Sequence, residues 1–396
     1  MPEHRLPPDP RGSGSKTTRR RRRGRSPRDA SAPSSGSCRR IRSAARSGAR
    51  ATCPGSDHAT GTPRDKRGTA SEPRLSPAHP RRSQKAEGTR LWPKRRKRSD
   101  IMTKSAIGFI GLGLMGSAMV QRLLDLGYPM TIMANRARPN VDAAVARGAR
   151  EVGTARDVAA ASDIVMLCMD TSASVEARMR GPDGVIAGLK SGTVVIDFGT
   201  SLPASTRALG DEVAAIGSIY MDAPLGRTPS HGREGKLNIM CSGDKMAYDR
   251  IKPILDDLGE NIFHLGTLGS GHTIKLINNF FAMTTASAMA EAFAMADVAK
   301  IGRRALYDVM SAGPLHSNMM DFITSYAVDG DPKRLAFTIK NAAKDVGYYE
   351  RMIQETGLDP IVSKGTLAAL AEARDGGFAE HLVPQMVDFF AARKDA

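Results

Sequence analysis

Apolar and polar positions along this chain follow a strand-and-helix rhythm. Short apolar runs are followed by stretches whose apolar residues recur every three or four positions. After a first strand that ends before Gly111, the predicted strands are Met130 to Ala134, Ile164 to Cys168, Thr193 to Phe198, Ile219 to Asp222, Leu237 to Ser242 and Asn261 to His264. Helices fill the intervals, including Val141 to Arg147 and one that begins near Met246. This rhythm predicts a parallel, doubly wound sheet that all of these strands extend or close.

The pattern changes after Gly271 and becomes helical. Residues 271–299 read as one long apolar-rich helix. Later helices are broken at Gly313-Pro314, Gly330-Asp-Pro332, Gly357 and Gly376-Gly377. We therefore predict an α/β domain with a doubly wound parallel sheet over residues 102–266. An all-α domain over residues 267–396 follows, joined by the long helix, whose apolar surface favours a homodimer or homotetramer.

The net charge of +17 belongs to the first hundred residues, which hold 28 of the 58 Lys and Arg and 8 of the 41 Asp and Glu. Basic runs among Ser, Pro and Gly have no apolar periodicity, so residues 1–101 are predicted to be a disordered Arg-rich tail. Three interpretations compete: a nuclear-localisation or nucleic-acid arm, an organelle transit peptide, and an over-extended start. We favour the last, with the protein beginning at Met102 and no nucleic-acid partner beyond the tail.

Compartment and metal content follow from two further patterns. No run approaches the ~20 uninterrupted apolar residues of a membrane span. Cys168 and Cys241 are the only cysteines after residue 101, and no Cys/His spacing is typical of zinc. We therefore expect a cytoplasmic protein that binds neither membranes nor metals.

The glycine-rich segment after the first strand is the strongest candidate site. Gly111, Gly113 and Gly116 stand between an apolar strand and a helix, where backbone N–H groups can approach a pyrophosphate and the helix dipole favours negative charge. The predicted cofactor residues here are Gly111, Leu112, Gly113, Leu114, Met115 and Gly116. The alternative is a tight strand-to-helix turn without a ligand.

The end of the second strand indicates the cofactor type. NAD sites usually carry an acid there for the ribose 2′-hydroxyl, whereas an arginine suits a 2′-phosphate. This chain has Asn135 and Arg136 and no acid. The sequence therefore favours NADP(H). The alternative is a surface arginine in a loop that tolerates NAD(H) as well.

A second candidate site lies at the start of the long helix. Gly271, Lys275 and Asn279 are spaced by four and share one helical face. Burial among apolar neighbours lowers the pKa of a lysine, as a proton donor and acceptor requires near neutral pH. Asn279 could fix the substrate or orient the lysine. The alternative is a lysine that extends its amine to solvent.

Four motifs in this order resemble the β-hydroxyacid dehydrogenase family, which includes 3-hydroxyisobutyrate dehydrogenase and tartronate semialdehyde reductase. They are Gly-Leu-Gly-Leu-Met-Gly from Gly111, Asp222-Ala-Pro224, Gly-x-x-x-Lys-x-x-x-Asn from Gly271, and Lys344-Asp345. The resemblance spans residue 105 to about residue 390. It implies hydride transfer to or from a nicotinamide. It also implies that residues 102–266 are an α/β Rossmann dinucleotide-binding domain and that residues 267–396 are an all-α substrate and dimerisation domain like the helical domain of 6-phosphogluconate dehydrogenase.

The resemblance also implies roles for individual residues. Lys275 is the general acid/base, Lys344 lies near the cofactor and Thr200 lines the cleft. Met169 and Asp170, in a loop after the third predicted strand, pass by the cofactor ribose. At Cys168-Met169 this chain departs from the Leu-Pro that is common in the family.

One departure bears on the substrate. Most of the family has Ser-Gly-Gly where this chain has Gly226, Arg227 and Thr228, a variant similar to the sulfolactaldehyde reductase and 4-hydroxybutyrate dehydrogenase branch. A guanidinium binds carboxylate, sulfonate or phosphate oxygens in pairs, and Thr228 adds a donor. These three residues and Asn279 are the predicted substrate site. The alternative places Arg227 in solvent or pairs it with Glu234.

Two classes of function remain at this point. The first is an NAD(P)-dependent oxidoreductase that interconverts a small anionic hydroxy acid and its aldehyde or ketone, with Lys275 as general acid/base. The second is a non-catalytic, nucleic-acid-associated scaffold that uses the basic tail. A scaffold has no need of an amine on that face of the long helix, so Lys275 favours the enzyme.

Overall fold

A six-stranded parallel sheet forms the centre of the α/β part of the protein. The computed structural model describes residues 104–134 and 138–393. The strands are β1 (Ile107–Ile110), β2 (Met130–Met133), β3 (Arg150–Val152), β4 (Ile164–Leu167), β5 (Val194–Asp197) and β6 (Ile219–Asp222). Their order in the sheet is β3-β2-β1-β4-β5-β6. The predicted parallel, doubly wound arrangement is confirmed. Strand β3 was missed because it is short and lacks an apolar run.

Helices cover both faces of this sheet. They are α1 (Leu114–Asp125), α2 (Arg138–Val145), α3 (Ala155–Ala160), α4 (Ser172–Met179), α5 (Pro203–Ala214), α6 (Pro229–Glu234) and α7 (Lys245–Leu258), with a 3₁₀ turn at Ile186–Gly188. One apolar cluster joins α1 and α7 to one face, and a second joins α3, α4 and α5 to the other. Burial on both faces explains why β1, β4 and β5 are almost continuously apolar. Helix α2 begins before the predicted Val141.

A small separate sheet corrects the prediction for the last strands. Strands β7 (Leu225–Gly226), β8 (Leu237–Cys241) and β9 (Gly259–His264) form it, with β7 antiparallel and β9 parallel to β8. The predicted extension of the main sheet by Leu237 to Ser242 is therefore wrong. Past Asp222 the chain continues through Pro224 into β7, and β8 runs back along that continuation. An isolated antiparallel bridge pairs Asp222, at the end of β6, with Ser242, the residue after β8.

The C-terminal part is helical and has its own core. Its helices are α8 (Ser270–Val298), α9 (Arg303–Ser311), α10 (Asn318–Ala327), α11 (Ile339–Gln354), α12 (Val362–Ala373) and α13 (Met386–Ala392), with 3₁₀ turns at Pro332–Leu335 and Val383–Gln385 and a π turn at Arg374–Phe378. The predicted long helix and the four predicted breaks are confirmed. The second half of α8 supplies Met283, Met289 and Phe293 to the helical core.

Some predictions fall outside the described residues. These include the tail over residues 1–101, together with Asn135 and Arg136. Across residues 104–134 and 138–393, no helix is both long enough and apolar enough to span a membrane.

The first turn of α8 is held by a buried carboxylate. Asp222, at the end of β6, is fully buried and accepts hydrogen bonds from the backbone N–H groups of Gly269 (2.8 Å) and His272 (2.7 Å). The hydroxyl of Ser242 donates to the same carboxylate and accepts from the N–H of Gly271 at 2.9 Å. The N-terminal N–H groups of α8, which lack partners within the helix, are thereby satisfied. The Asp222-Ala-Pro224 motif thus anchors the long helix to the sheet.

This anchoring predicts a large difference between two aspartate-to-alanine variants. Asp222→Ala leaves several buried N–H groups without an acceptor and should lower the free energy of unfolding by about 3 kcal/mol or more. Asp244→Ala removes an ordinary cap from α7, a 2.7 Å bond to the N–H of Ala247, and should cost about 1 kcal/mol. Urea unfolding followed by circular dichroism measures both. Equal losses would contradict the anchoring role of Asp222.

Candidate active site

The turn between β1 and α1 has the space and the donors that a pyrophosphate needs. Gly111 has φ +100°, and a Cβ there would lie 2.3 Å from the carbonyl oxygen of Cys168. A Cβ on Gly116 would lie 1.9 Å from the carbonyl oxygen of Gly111, so only glycine permits this close contact of helix and turn. A Cβ on Gly113 would meet no atom within 4 Å. Two of the glycines are thus required by packing, and the third leaves open space at the helix N-terminus.

The electrostatics of this turn suit an anion. The N-cap of α1 is Gly113, which has no side chain to bond to the first-turn N–H groups, and the first turn holds no acidic residue. Leu114 and Met115 occupy that turn, and Leu114 is 78% exposed. The positive end of the helix dipole therefore faces solvent without a competing carboxylate. Leu112 is buried, and its carbonyl accepts a hydrogen bond from the side chain of Asn140 at 2.7 Å.

Lys344 of α11 connects the helical part to two loops of the α/β part. Its Nζ donates to the carbonyl of Asp170, in the loop after β4, at 2.8 Å and to that of Thr200, in the loop after β5, at 3.4 Å. The loop that holds Thr200 is shaped by Asp197, whose buried carboxylate accepts from the N–H of Gly199 and the hydroxyl of Ser201, each at 2.8 Å. The strands β1, β4 and β5 are neighbours in a parallel sheet. The glycine turn after β1 and the loops after β4 and β5 therefore lie at the same edge of the sheet.

Lys275 and Asn279 of α8 lie beside this connection. The side-chain N–H of Asn279 donates to Asp345 at 2.6 Å, and the other oxygen of Asp345 is 2.9 Å from the Nζ of Lys344. Asp345 is 2% exposed, so its charge is shielded from water. The structure thus joins Asn279 and Lys344 through a carboxylate that was not among the predicted site residues, and Lys344 also contacts Thr200. Lys275 lies near enough for the charges of Asp345 and Lys344 to act on it.

The pKa of Lys275 is lowered from its ordinary value. The main cause is burial, which disfavours the ammonium form, and the positive charge of Lys344 acts in the same direction. The negative charge of Asp345 opposes both and raises the pKa. The three charges form one coupled group, so the acidity of Lys275 depends on its neighbours on α11.

Sequence reasoning assigned no role to two contributors. Asp345 stood in the Lys344-Asp345 motif without a role, although an acid at a buried position of α11 among Ala342, Ala343 and Val346 was an available signal. Tyr348, one turn later, accepts a hydrogen bond from the N–H of Ser172 at 3.1 Å, which ties α11 to the start of α4. Nothing in the sequence around Tyr348 pointed to this contact.

The predicted substrate loop makes contacts of its own. Gly226 pairs with Asn238 of β8, and the hydroxyl of Thr228 is 2.7 Å from both the hydroxyl of Ser230 and the Nδ1 of His231. The guanidinium of Arg227 binds the carbonyl of Lys236 at 2.8 Å and the carboxylate of Glu260.

Glu234, which sequence considerations offered as a partner for Arg227, instead binds Lys236 at 2.8 Å. The predicted alternative in which Arg227 pairs with Glu234 is therefore wrong. The hydrogen bonds and ion pairs of Arg227 are made within the small sheet and not with α8. The predicted role of Arg227 toward a substrate stays a prediction.

Two family descriptions match consecutive parts of the chain. Residues 106–266 match the NAD-binding domain of 6-phosphogluconate dehydrogenase. Residues 269–389 match the NAD-binding region of NADP-dependent 3-hydroxyisobutyrate dehydrogenase. Together the matches cover more than two thirds of the 396 residues and meet close to the start of α8.

Curated relatives resemble the chain in sequence, and a solved structure resembles it in fold. The chain is similar to 2-(hydroxymethyl)glutarate dehydrogenase of Eubacterium barkeri, with 36% identity over 48% of this chain and 62% of the relative. It is similar to 2-hydroxy-3-oxopropionate reductase of Escherichia coli K12, with 33% identity over 49% of this chain and 65% of the relative. The match thus spans less than two thirds of each of these relatives. The fold matches 3-hydroxyisobutyrate dehydrogenase of Mycobacterium tuberculosis with a TM-score of 0.63 and 22% identity, over 72% of this chain and 99% of that one.

The geometry of the glycine turn predicts that one alanine variant lowers stability and that another weakens NADPH binding. Gly116→Ala forces a methyl group against backbone and should lower the free energy of unfolding by about 3 kcal/mol. Gly113→Ala meets open space in an extended conformation and should change stability by less than about 0.5 kcal/mol. Its methyl group would enter the space that we predict for the pyrophosphate, so the Kd for NADPH should rise about tenfold or more. Urea unfolding and fluorescence titration with NADPH separate the two effects, and unchanged NADPH affinity in Gly113→Ala would exclude this turn as the site.

Proposed function

Because the chain belongs to the β-hydroxyacid dehydrogenase family, we propose that it is an NAD(P)-dependent oxidoreductase that interconverts a small anionic hydroxy acid and its aldehyde or ketone. The single observation that carries this proposal is Lys275, an amine of lowered pKa coupled to Asp345 and Lys344 beside the loops after β4 and β5. The names of the two curated relatives each specify a carboxylic acid that bears a hydroxyl group, which supports the substrate class.

The residues present fit a nicotinamide dinucleotide. The open space at Gly113, the uncapped N-terminus of α1 and the loops that hold Met169, Asp170 and Thr200 are the groups that would hold it. When bound, the nicotinamide supplies or accepts the hydride. We propose NADP(H) as the preferred cofactor, with NAD(H) as the alternative. Arg136 in the sequence and the NADP-dependent family description of residues 269–389 support this preference.

Lys275 moves the proton in this proposal. In the reduction, its ammonium group donates a proton to the carbonyl oxygen while the carbonyl carbon receives the hydride, so aldehyde becomes alcohol. In the oxidation, the neutral amine accepts the hydroxyl proton. Because the pKa is lowered, more of the amine is neutral near pH 7 than for an ordinary lysine. The reduction needs the ammonium form, and the oxidation needs the neutral form. Asn279 donates a hydrogen bond to Asp345 one turn from Lys275, and in this proposal it holds the substrate hydroxyl or acid.

The loop at Gly226, Arg227 and Thr228 supplies the anion-binding part of the proposal. A guanidinium presents paired N–H donors that match the oxygens of a carboxylate or sulfonate. The loop and α8 contact the same strand. Asn238 of β8 pairs with Gly226, and a Cβ on Gly271 would lie 2.2 Å from the carbonyl oxygen of Met240, two residues further along β8.

We also propose a cytoplasmic homodimer or homotetramer. The side chains of Ile277 and Phe281 on α8 are 48% and 72% exposed, and a second copy would remove them from water. Cys168 and Cys241 are free thiols, as a reducing compartment requires.

A substrate panel with one active-site variant tests the reaction. The full-length protein is assayed with NADPH and NADH against sulfolactaldehyde, succinic semialdehyde, tartronate semialdehyde and methylmalonate semialdehyde. At least one should be reduced. Lys275→Met, which keeps the length of the side chain, should lower kcat about a thousandfold while the Kd for NADPH stays within about twofold. The control is Lys252→Met, which removes an exposed lysine paired with Asp256. Ordinary turnover by Lys275→Met would rule out its role.

The charges around Lys275 predict two opposite shifts of the pH profile. The reduction requires the ammonium form, so its rate is high below the pKa of Lys275 and falls as the pH rises through that pKa. Asp345→Asn removes the charge that raises this pKa and should move the fall to lower pH. Lys344→Met removes a charge that lowers the pKa and should move the fall to higher pH.

The matched control for this profile is Lys340→Met. Lys340 lies one turn before Lys344 on α11 and pairs with Glu380 on the surface. It should leave the profile unchanged. Shifts of the same sign in Asp345→Asn and Lys344→Met would show that another group governs the profile.

A further inference from the structure

Arg227 has an unusual backbone conformation. Its φ is +75°, and among the described residues the only other residue besides glycine with a positive φ is Lys300. A side chain in this left-handed region is strained, and such positions cluster at functional sites. Arg227 lies between Gly226, which is paired with Asn238, and α6, which begins at Pro229. A strained residue that carries a guanidinium is therefore a candidate for ligand binding.

The guanidinium is paired with an anion from the same protein. Its partners are the carboxylate of Glu260, on β9, and the carbonyl of Lys236. The side chain of Arg227 is 29% exposed and that of Glu260 is 54% exposed. Ion pairs at this level of exposure contribute little to stability because water and salt screen them. An incoming anion can therefore replace Glu260 at small cost.

We propose that Glu260 is a specificity-determining residue, an internal anion that holds Arg227 until the acid group of the substrate displaces it. This inference rests on the proposed function of the same loop. A substrate with a carboxylate or sulfonate replaces one anion by another on the guanidinium. An uncharged aldehyde has no group that can do so, and the ion pair then stays closed. Glu260 consequently sets the KM for anionic substrates and has no effect on uncharged ones.

The test compares Glu260→Gln with a matched control. Glu260→Gln removes the competing charge and keeps the size of the side chain. The KM for succinic semialdehyde should fall about two- to fivefold with kcat within twofold, and kcat/KM for butanal, its uncharged counterpart, should not change. The control is Glu234→Gln, which removes an equally exposed carboxylate from the same region that binds Lys236 and not Arg227. It should leave all of these values unchanged.

A second pair of variants ties the effect to Arg227. Arg227→Gly is compatible with the left-handed backbone, so its folding is not at risk from that source. It should raise the KM for succinic semialdehyde about tenfold. Adding Glu260→Gln to Arg227→Gly should then have no further effect, because Glu260 acts only through the guanidinium.

Binding of butyrate separates this inference from the proposed reaction. Butyrate carries the acid group and no carbonyl, so ligand-observed NMR in the presence of NADP⁺ reports on the anion site without turnover. Tighter binding to Glu260→Gln than to the wild type supports the exchange even if no aldehyde is reduced. Equal binding, no binding to either protein, or a higher KM in Glu260→Gln would overturn it.

Discussion

The buried carboxylate of Asp222 is the constraint on which the rest of the site depends. It ends the edge strand β6 and accepts hydrogen bonds from the first N–H groups of α8, so the sheet and the helix that carries Lys275 meet at one charged group. Because the carboxylate is fully buried, its hydrogen bonds cannot be exchanged for water without a large loss of free energy. The start of α8 is therefore held in a defined position relative to the loops at the sheet edge.

Lys344 and Asp345 place a second restraint across the cleft. Lys344 binds two backbone carbonyls of the α/β part, and Asp345 binds Asn279 of α8. Each of these groups is polar and would be costly to bury without its partner. Together these contacts connect the loops after β4 and β5, through α11, to the helix that carries Lys275. The charges of the same two residues act on the pKa of Lys275 in opposite directions, in addition to the larger effect of burial.

The loop at Arg227 combines an unusual backbone conformation with an exposed ion pair. Glycine would satisfy the left-handed backbone at no cost, whereas arginine adds a charge and accepts strain. The pairing with Glu260 keeps that charge ordered in the absence of a ligand, and its exposure keeps the pairing weak. The alternative of a non-catalytic scaffold depends on the basic tail, which lies outside the described residues, and gives no account of the environment of Lys275.

The local pattern of the chain was sufficient to predict the parallel sheet, the glycine turn, the long helix and the breaks between later helices. Apolar periodicity and the positions of glycine and proline are local properties. Spacing by four was likewise sufficient to place Gly271, Lys275 and Asn279 on one face. The separate small sheet, the anchoring role of Asp222, the carboxylate of Asp345 beside Lys275 and the pairing of Arg227 with Glu260 were decided by tertiary structure alone. Each of these joins residues that are distant in sequence, and which strands or charges meet depends on packing and desolvation across the whole fold, which no local pattern records.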